Sequence, residues 1–532
     1  MSTEKHPLRG LLVAQFLGAF NDNAWKFVVT FLGLGAVAAT SSKDVAEAAY
    51  QARTTTAFVI FTIPLMIFSI PAAHFADRFS KRAIILWMKS LELVLMLSGT
   101  LLLYVSPGAD QLSLVILALM GVQSAIFSPA KYGILPEVLP HHKLSAGNGA
   151  LELWTFLAII AGTGVAGALF DKSGDQVWLC GLALCGLSVV GLVAALRIPP
   201  VDAASPESSE GMLGAITGAW KAIRAERILF LTVAGLTLYW GVATLLGQNL
   251  LVYAKSVLGS TNEWAGYILA ASGIGVGLGA FLAGRLSRSK VEYGLIPFGA
   301  TLLCLSLIVL GFIAPTVIED ETLRDGKYWQ VFVAVIPLGI SSGFVIVPLS
   351  ALLQWKAPAN RRGAIIALAN AIIFAGILLG SFLAHGLSTA EFSSRGIFFW
   401  TAAITAAGMI WALYLLPTAF VRFVLCLLTN TIYRMKVVGR RHVPEEGGVL
   451  LVPNHVSFVD GLFLIASVDR PVRFLVEAAY FHHPLAKPFM KSLGAIPISS
   501  SAIGFGSFRS EVKSPATDRQ PTWQLAQGNY LG

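Results

Sequence analysis

Long apolar runs, each bounded by charged residues, Gly or Pro, recur along most of the chain. An α-helix needs about 20 apolar residues to cross a hydrocarbon core of about 30 Å, and these runs reach that length. Twelve spans are predicted, at residues 9–38, 53–74, 83–105, 111–135, 147–170, 176–196, 228–254, 263–286, 293–314, 329–354, 362–386 and 394–417. The pattern predicts an all-α polytopic membrane protein, because membrane β-barrels show alternating segments of about 10 residues instead.

A polar interruption at residues 197–227 separates six spans from six. We therefore expect two six-helix halves, at about 8–196 and 228–417, joined by a cytoplasmic linker within a domain of residues 1–420. Lys and Arg collect in alternate short loops, which is typical of loops on the cytoplasmic side. Both termini are accordingly predicted to be cytoplasmic.

Composition narrows the classes of function. The 532 residues are 55% hydrophobic and only 13% charged, whereas soluble domains carry about 25% charged residues, so a soluble multidomain enzyme is excluded. The net charge of +9 follows from the loop cations, and no nucleic-acid partner is predicted. The cysteines stand in apolar runs without metal-ligand spacing, so no metal site and no cofactor are expected; they are Cys180, Cys185, Cys304 and Cys426.

Charged residues inside the spans are the first candidates for function. An ionised group at the bilayer centre costs about 2.5–3.5 kcal/mol and needs a partner or a water-filled cavity. Asp22 and Lys26 stand at i and i+4 in the first span, Lys131 ends the fourth, and Glu152 lies in the fifth. Asp22, Lys131 and Glu152 are predicted to meet in a polar cavity of the N-terminal half. A purely structural ion network explains the same residues equally well.

Other polar residues complete this picture. Lys89 and Glu92 in the third span are interpreted as a pair at a helix end. The second half offers neutral polar groups in apolar helices, namely Tyr239, Trp240, Gln248, Asn249, Gln354 and Asn370. This asymmetry suits an amphiphile whose charged head lies on one side while its tail packs against apolar walls.

The loop PAAHFADRFSKR, at residues 71–82, resembles the signature loop of the major facilitator superfamily, and the six-plus-six layout agrees with that fold. The resemblance implies that Asp77 and Arg78 belong to a gating loop, with Lys81 and Arg82 beside them. Such a charge lock breaks as two halves rock against each other. For Lys81 and Arg82, a role that only sets topology is also plausible.

FNDNAWK, FSPAKYGILPE and GNGALELW, in series, resemble one branch of that superfamily, the bacterial lysophospholipid transporters. The resemblance covers about residues 8–420. It implies movement of lysophospholipids, especially lysophosphatidylethanolamine, across the bacterial inner membrane towards the cytoplasmic leaflet. It also implies that Asp22, Lys131 and Glu152 serve the substrate, and the lipid bilayer is the expected surrounding.

After Pro417 the chain leaves the bilayer. Short strand-like runs, VVG, GVLLVPN, RFLVEA and GAIPIS, alternate with helical pieces and predict the start of an α/β domain over residues 421–500. Residues 501–532 lose that rhythm and are predicted to be disordered.

NHVSFVD, at residues 454–460, places His455 and Asp460 in an H-x4-D arrangement, with four residues between them. A histidine can accept the proton of an attacking hydroxyl near neutral pH, and a carboxylate can orient it. The segment resembles the glycerolipid acyltransferase family, which implies acyl-carrier protein or acyl-CoA as donor. A later block of the FPEG type is missing, so we expect a truncated or frame-shifted domain with little activity.

The two resemblances agree with bacterial fusions of a lysophospholipid transporter with a 2-acylglycerophosphoethanolamine acyltransferase. The first hypothesis is therefore a lysophospholipid transporter that works by alternating access and is linked to phospholipid reacylation. The alternatives are a membrane-bound lysophospholipid acyltransferase that uses His455 and Asp460, and a proton-coupled exporter of drugs or metabolites.

Overall fold

The computed structural model describes residues 8–40, 43–138, 144–201, 211–287, 292–313, 324–358, 361–432, 437–438, 443–444, 447–454, 460–468, 472–484, 487–492 and 494–498. The chain divides into two units, Met1–Phe423 and Val424–Gly532.

The N-terminal half of the first unit is a bundle of long helices with one short one, α5. Its elements are α1 (Arg9–Thr40), α2 (Lys43–Arg78), α3 (Lys81–Val105), α4 (Asp110–Gly133), α5 (Leu135–Val138), α6 (Leu144–Ser173) and α7 (Trp178–Leu196). α1 packs against α6 and α7, and α2 packs against α4.

A separate amphipathic helix, α8 (Met212–Ala225), precedes the C-terminal half. That half contains α9 (Arg227–Ser256), α10 (Asn262–Ser287), α11 (Leu295–Ile313), α12 (Arg324–Lys356), α13 (Arg362–Thr389) and α14 (Ser394–Leu415). The two halves meet where α6 packs against α10 and where α2 packs against α13.

Within the described residues, eleven helices are long and apolar enough to cross a membrane. They are α2 to α14 without α5 and α8. α1 is not among the eleven helices found in the described residues, and its sequence carries Asn21, Asp22, Asn23 and Lys26 within the apolar run. Its Trp25 and Phe31 are nevertheless buried in the core of the bundle.

Close helix packing in the C-terminal half depends on glycine. A Cβ atom added to Gly279 on α10 would lie 2.1 Å from the carbonyl oxygen of Ile340 on α12, and one added to Gly339 would lie 2.1 Å from that of Ser272. Small residues let membrane helices approach closely and gain dispersion contacts. The α10–α12 contact therefore excludes side chains at these two positions.

α15 (Pro417–Ile432) follows α14, and the second unit is described in parts. These parts are α16 (Asp460–Ser467), β1 (Leu475–Glu477), α17 (Ala478–Phe481), α18 (Lys487–Ser492) and β2 (Ile496–Ile498). β1 and β2 pair in parallel, with Leu475 opposite Ile496. A parallel pair needs a crossover connection, and α17 and α18 supply it.

Two of the four strand-like runs form these strands, RFLVEA and GAIPIS. The run GVLLVPN is described at residues 448–454 without a strand, so that part of the prediction is wrong. Residues 501–532, predicted to be disordered, lie outside the described residues.

Candidate transport site

A fully buried ion pair lies in the N-terminal half. The Lys89 Nζ atom is 2.6 Å from Glu92 Oε2, and the side chains are 1% and 0% exposed. Both residues stand in the interior of α3. Their interpretation as a helix-end pair is therefore wrong, because α3 turns this face towards the bundle core.

Two neutral side chains complete the hydrogen bonding of that pair. Asn21 Nδ2 on α1 donates to Glu92 Oε1 at 2.9 Å and to Ser188 Oγ on α7 at 2.9 Å. All three residues are buried. Since a buried charge is tolerated when its remaining lone pairs are satisfied, this network joins α1, α3 and α7 through one carboxylate.

Asp22 lies next to this network and faces α4. Ser124 Oγ donates a short hydrogen bond to Asp22 Oδ2. The second oxygen, Asp22 Oδ1, is buried and has no hydrogen-bond partner within the described part of the chain. An unsatisfied buried acceptor costs about 1–3 kcal/mol, so this oxygen is free to accept a donor from a ligand.

Charged groups from several helices lie around Asp22. Lys131 and Lys89 lie within electrostatic range of Asp22, as does the like-charged Glu92. The Lys131 Nζ atom is 5.0 Å from the ring centroid of Tyr132 and 6.0 Å from that of Phe127. The structure thus brings Asp22 and Lys131 into one region.

Lys26 does not form the expected i,i+4 pair. Its Nζ donates to Asn23 Oδ1 at 3.0 Å and lies 4.6 Å from the ring centroid of Phe58 on α2. Among the described residues, no ion pair within 4 Å joins Lys26 to Asp22. Its direct contacts are aromatic rings and an amide, and Asp22 acts on this buried cation only at longer range.

Several predicted residues lie beyond what the structure describes. Glu152 is in α6, and Asp77 and Arg78 form the end of α2, but their side chains are outside the described set. His455 falls in the segment 455–459, also outside it, while Asp460 is the first residue of α16. Their roles stay predictions.

Lys81 and Arg82, which follow the predicted gating loop of Asp77 and Arg78, have defined partners. Lys81 on α3 forms a short salt bridge with Glu137 on α5, and Arg82 donates to the carbonyl oxygen of Leu196 at 3.4 Å. These contacts attach the start of α3 to α5 and to the end of α7.

Polar contacts between the two halves cluster at the end of the bundle where α2, α10 and α14 begin. Gln248 on α9 accepts from Thr55 Oγ1 on α2 at 2.9 Å and donates to Ser381 Oγ on α13 at 2.7 Å. Glu47 on α2 accepts from the backbone and hydroxyl of Ser394 on α14. We call these contacts, together with those that Asp171 makes to the start of α10, the end clamp.

Asp171, at the end of α6, forms the third part of the end clamp. It accepts from Asn262 Nδ2 and from the backbone nitrogen of Glu263, both at 2.7 Å, at the start of α10. Helix starts favour carboxylates because their backbone N–H groups are unpaired. The sequence marks Gln248 only as a neutral polar residue in an apolar helix, and it does not distinguish Glu47 and Asp171 from other charges near helix ends.

Residues 11–381 match the model of the Major Facilitator Superfamily. The chain belongs to this superfamily. Its two six-helix halves and the linker between them are the arrangement that this family places around a central site.

Curated relatives of this superfamily member carry a more specific name. This chain is 29% identical to the lysophospholipid transporter LplT of Escherichia fergusonii over 356 residues, which are 65% of this chain and 80% of that protein. Identity is also 29% with LplT of Shigella boydii over 358 residues, 65% of this chain and 80% of the relative.

Solved structures agree on the major facilitator fold. The POT family transporter PepTSo superposes with a TM-score of 0.57 at 14% identity, covering 78% of this chain and 99% of its own. A POT family transporter in complex with a thioalcohol-conjugated peptide gives a TM-score of 0.55 at 14% identity, with coverage of 77% and 96%.

A second family model matches beyond the transporter part. Residues 434–521 match the Acyltransferase family, so this superfamily member carries an acyltransferase region after its helices. The matched range extends past residue 500, into the stretch that the sequence predicts to be disordered.

Proposed function

We propose that this protein moves lysophospholipids, and lysophosphatidylethanolamine in particular, across the inner membrane of a bacterium towards the cytoplasmic leaflet. The observation that carries the proposal is the buried, unpartnered Oδ1 of Asp22. The ethanolamine headgroup ends in an ammonium, whose N–H groups supply the donor that this oxygen lacks. The LplT relatives support the substrate class.

The phosphate of the same headgroup needs a cation nearby. Lys131 lies within electrostatic range of Asp22, so one carboxylate and one ammonium of the protein match the two charges of a zwitterionic headgroup. In this proposal Glu152 joins the same polar cavity. The single acyl chain then packs against the apolar helices of the C-terminal half, which binds the tail by hydrophobic burial.

Transport proceeds by alternating access in this proposal. The end clamp holds the two halves together at one end, so the substrate enters or leaves there only after Gln248, Glu47 and Asp171 lose their partners across the interface. Rocking of two half-bundles about a central site is the general mechanism for such repeats. Asp77 and Arg78 serve as the gating loop at the opposite end of α2.

The acyltransferase region, whose family match extends to residue 521 despite the missing FPEG-type block, links transport to reacylation in this proposal. His455 acts as the general base that removes the proton from the acceptor hydroxyl, and Asp460 orients it. Acyl-carrier protein or acyl-CoA supplies the acyl group. Both chain termini lie on the cytoplasmic side, and tethering the two activities raises the effective concentration of the lysolipid at the second site.

Competition in liposomes tests the proposed substrate. The purified protein is reconstituted, and movement of fluorescent lysophosphatidylethanolamine between leaflets is followed with an excess of unlabelled lipid. We expect lysophosphatidylethanolamine to compete and a free fatty acid of equal chain length not to. Movement that requires an imposed proton gradient, with competition by unrelated amphiphilic cations, would favour the exporter alternative instead.

A further inference from the structure

An apolar crevice of about 370 Å³ opens in the C-terminal half, between α9, α11, α12 and α14. Its volume falls in the range of about 300–1,000 Å³ that ligand pockets occupy. Ile228 and Leu238 at its edge are 36% and 37% exposed, so it opens on the outer surface of the bundle. All four helices belong to one half, so the crevice is separate from the Asp22 region.

Three hydroxyl groups that line the crevice are already paired. Thr232 Oγ1 donates to the carbonyl oxygen of Ile228 at 2.7 Å, and Thr405 Oγ1 donates to that of Thr401 at 2.8 Å. The Tyr239 hydroxyl is paired with Ser342. The walls therefore offer an occupant mainly apolar contact, which a hydrocarbon chain satisfies and a polar solute does not.

One charged residue stands at the mouth. Arg227, the first residue of α9, lines the crevice at the end where α14 finishes. It is exposed and forms no ion pair within the described residues. A guanidinium at this place has the geometry to bind a phosphate by two hydrogen bonds.

The adjoining helix adds positive charge. α8 buries Ala219 and Ile223 and exposes Trp220 and Lys221, and Arg224 lies 5.3 Å from the Trp220 ring centroid. An amphipathic helix with cations beside an exposed Trp is typical of the membrane interface. Cations at the interface attract anionic lipid headgroups.

We propose that this crevice binds an anionic diacyl phospholipid of the surrounding bilayer, with one acyl chain between the four helices and the phosphate on Arg227. The occupant is a resident lipid that supports the C-terminal half, not the transported molecule, because the crevice lies within one half. A filled crevice regains the dispersion contacts that an empty one lacks. The inference is independent of the proposed transport.

Photolabelling tests this site. The full chain is reconstituted in vesicles of phosphatidylethanolamine with phosphatidylglycerol that carries a diazirine at the chain end, and labelled peptides are mapped by mass spectrometry. We expect labelling in the α12 and α14 peptides that contain Leu349 and Trp411. Arg227→Gln is expected to lower it about tenfold, as loss of a charge-assisted contact predicts.

Matched variants separate the site from general membrane contact. Arg224→Gln removes a neighbouring cation that does not line the crevice, and it should leave labelling unchanged. Ala412→Phe fills the crevice and should abolish labelling, whereas Ala407→Phe, on an exposed position of the same helix, should not. Thermal unfolding of each variant in detergent identifies any that fail to fold.

Two results would overturn the proposal. One is labelling spread evenly over the lipid-facing helices and unchanged by Arg227→Gln in folded protein. The other is displacement of the label by lysophosphatidylethanolamine, which would make the crevice a cargo site. Because the readout is lipid binding, a failure of transport by the parent chain would leave this test unaffected.

Discussion

Asn21 on α1 donates a hydrogen bond of 2.9 Å to Glu92 on α3, next to the oxygen that pairs with Lys89. This contact anchors the first helix through a carboxylate that is fully removed from solvent. Asp22 follows directly in sequence, so the network fixes the helix turn that presents Asp22 to α4.

Removal of one charge from the buried pair should destabilise the fold. Glu92→Gln leaves Lys89 buried without a counter-charge, and we expect a loss of about 3–5 kcal/mol in stability. The double variant Lys89→Met/Glu92→Leu should recover most of that loss, since replacing both charges is often neutral. Thermal unfolding in detergent measures the difference.

The partly exposed pair Arg53–Asp110, at 2.8 Å, supplies the control. Its side chains are 37% and 22% exposed, so Asp110→Asn should cost no more than about 1 kcal/mol. Equal losses for Asp110→Asn and Glu92→Gln would refute the structural role of the Lys89–Glu92 pair.

Asp22→Asn should impair transport while preserving the fold. An Asn side chain can still accept the Ser124 hydrogen bond, but it loses the charge that we propose for the ammonium of the substrate. We expect transport of lysophosphatidylethanolamine to fall about tenfold or more. Lysophosphatidylglycerol, which has no ammonium, should be affected much less; equal loss for both lipids would remove Asp22 from headgroup selection.

A disulfide across the end clamp should stop transport. In a cysteine-free background, Glu47→Cys with Ser394→Cys places two thiols where α2 and α14 meet, and oxidation should inhibit until a reductant is added. In the control Arg53→Cys with Asp110→Cys, a short bifunctional thiol reagent joins two helices of the same half and should crosslink without inhibition. Full transport by the oxidised Glu47/Ser394 pair would contradict opening at this end.

The acyltransferase residues should be separable from transport. His455→Ala is expected to lower acyl transfer to the lysolipid at least about 10²-fold, the usual contribution of a general base, and to leave leaflet movement unchanged. Radiolabelled acyl donor measures the first activity and fluorescence quenching measures the second. Unchanged acylation by His455→Ala would exclude it from catalysis.

The sequence predicts the membrane fold well because each span is a local property of about 20 residues. The place of the first helix, α1, is harder to predict from the sequence. Its apolar run is broken at residues 21–26, and only its contacts with neighbouring helices explain why it stays in the bundle. The polar residues at 21–26 nevertheless direct attention to Asp22, since an acidic residue in a membrane span needs a partner or a function.

The remaining site features depend on contacts between distant parts of the chain. Lys89 and Glu92 have the i,i+3 spacing of an ordinary surface pair, and only the rotation of α3 within the bundle buries them. Glu47 and Asp171 resemble loop-flanking charges in the sequence. Their partners, Ser394 and Asn262, lie in the other half, so sequence periodicity carries no signal for these contacts.

The most direct test follows lysophosphatidylethanolamine between the leaflets of liposomes that contain the purified chain, without any acyl donor. Our account predicts movement well above that of protein-free liposomes, and a rate reduced about tenfold or more by Asp22→Asn. If the lipid moves only at the protein-free rate, and acylated product forms once an acyl donor is added, the protein is not a transporter. Acyl transfer would then be its activity.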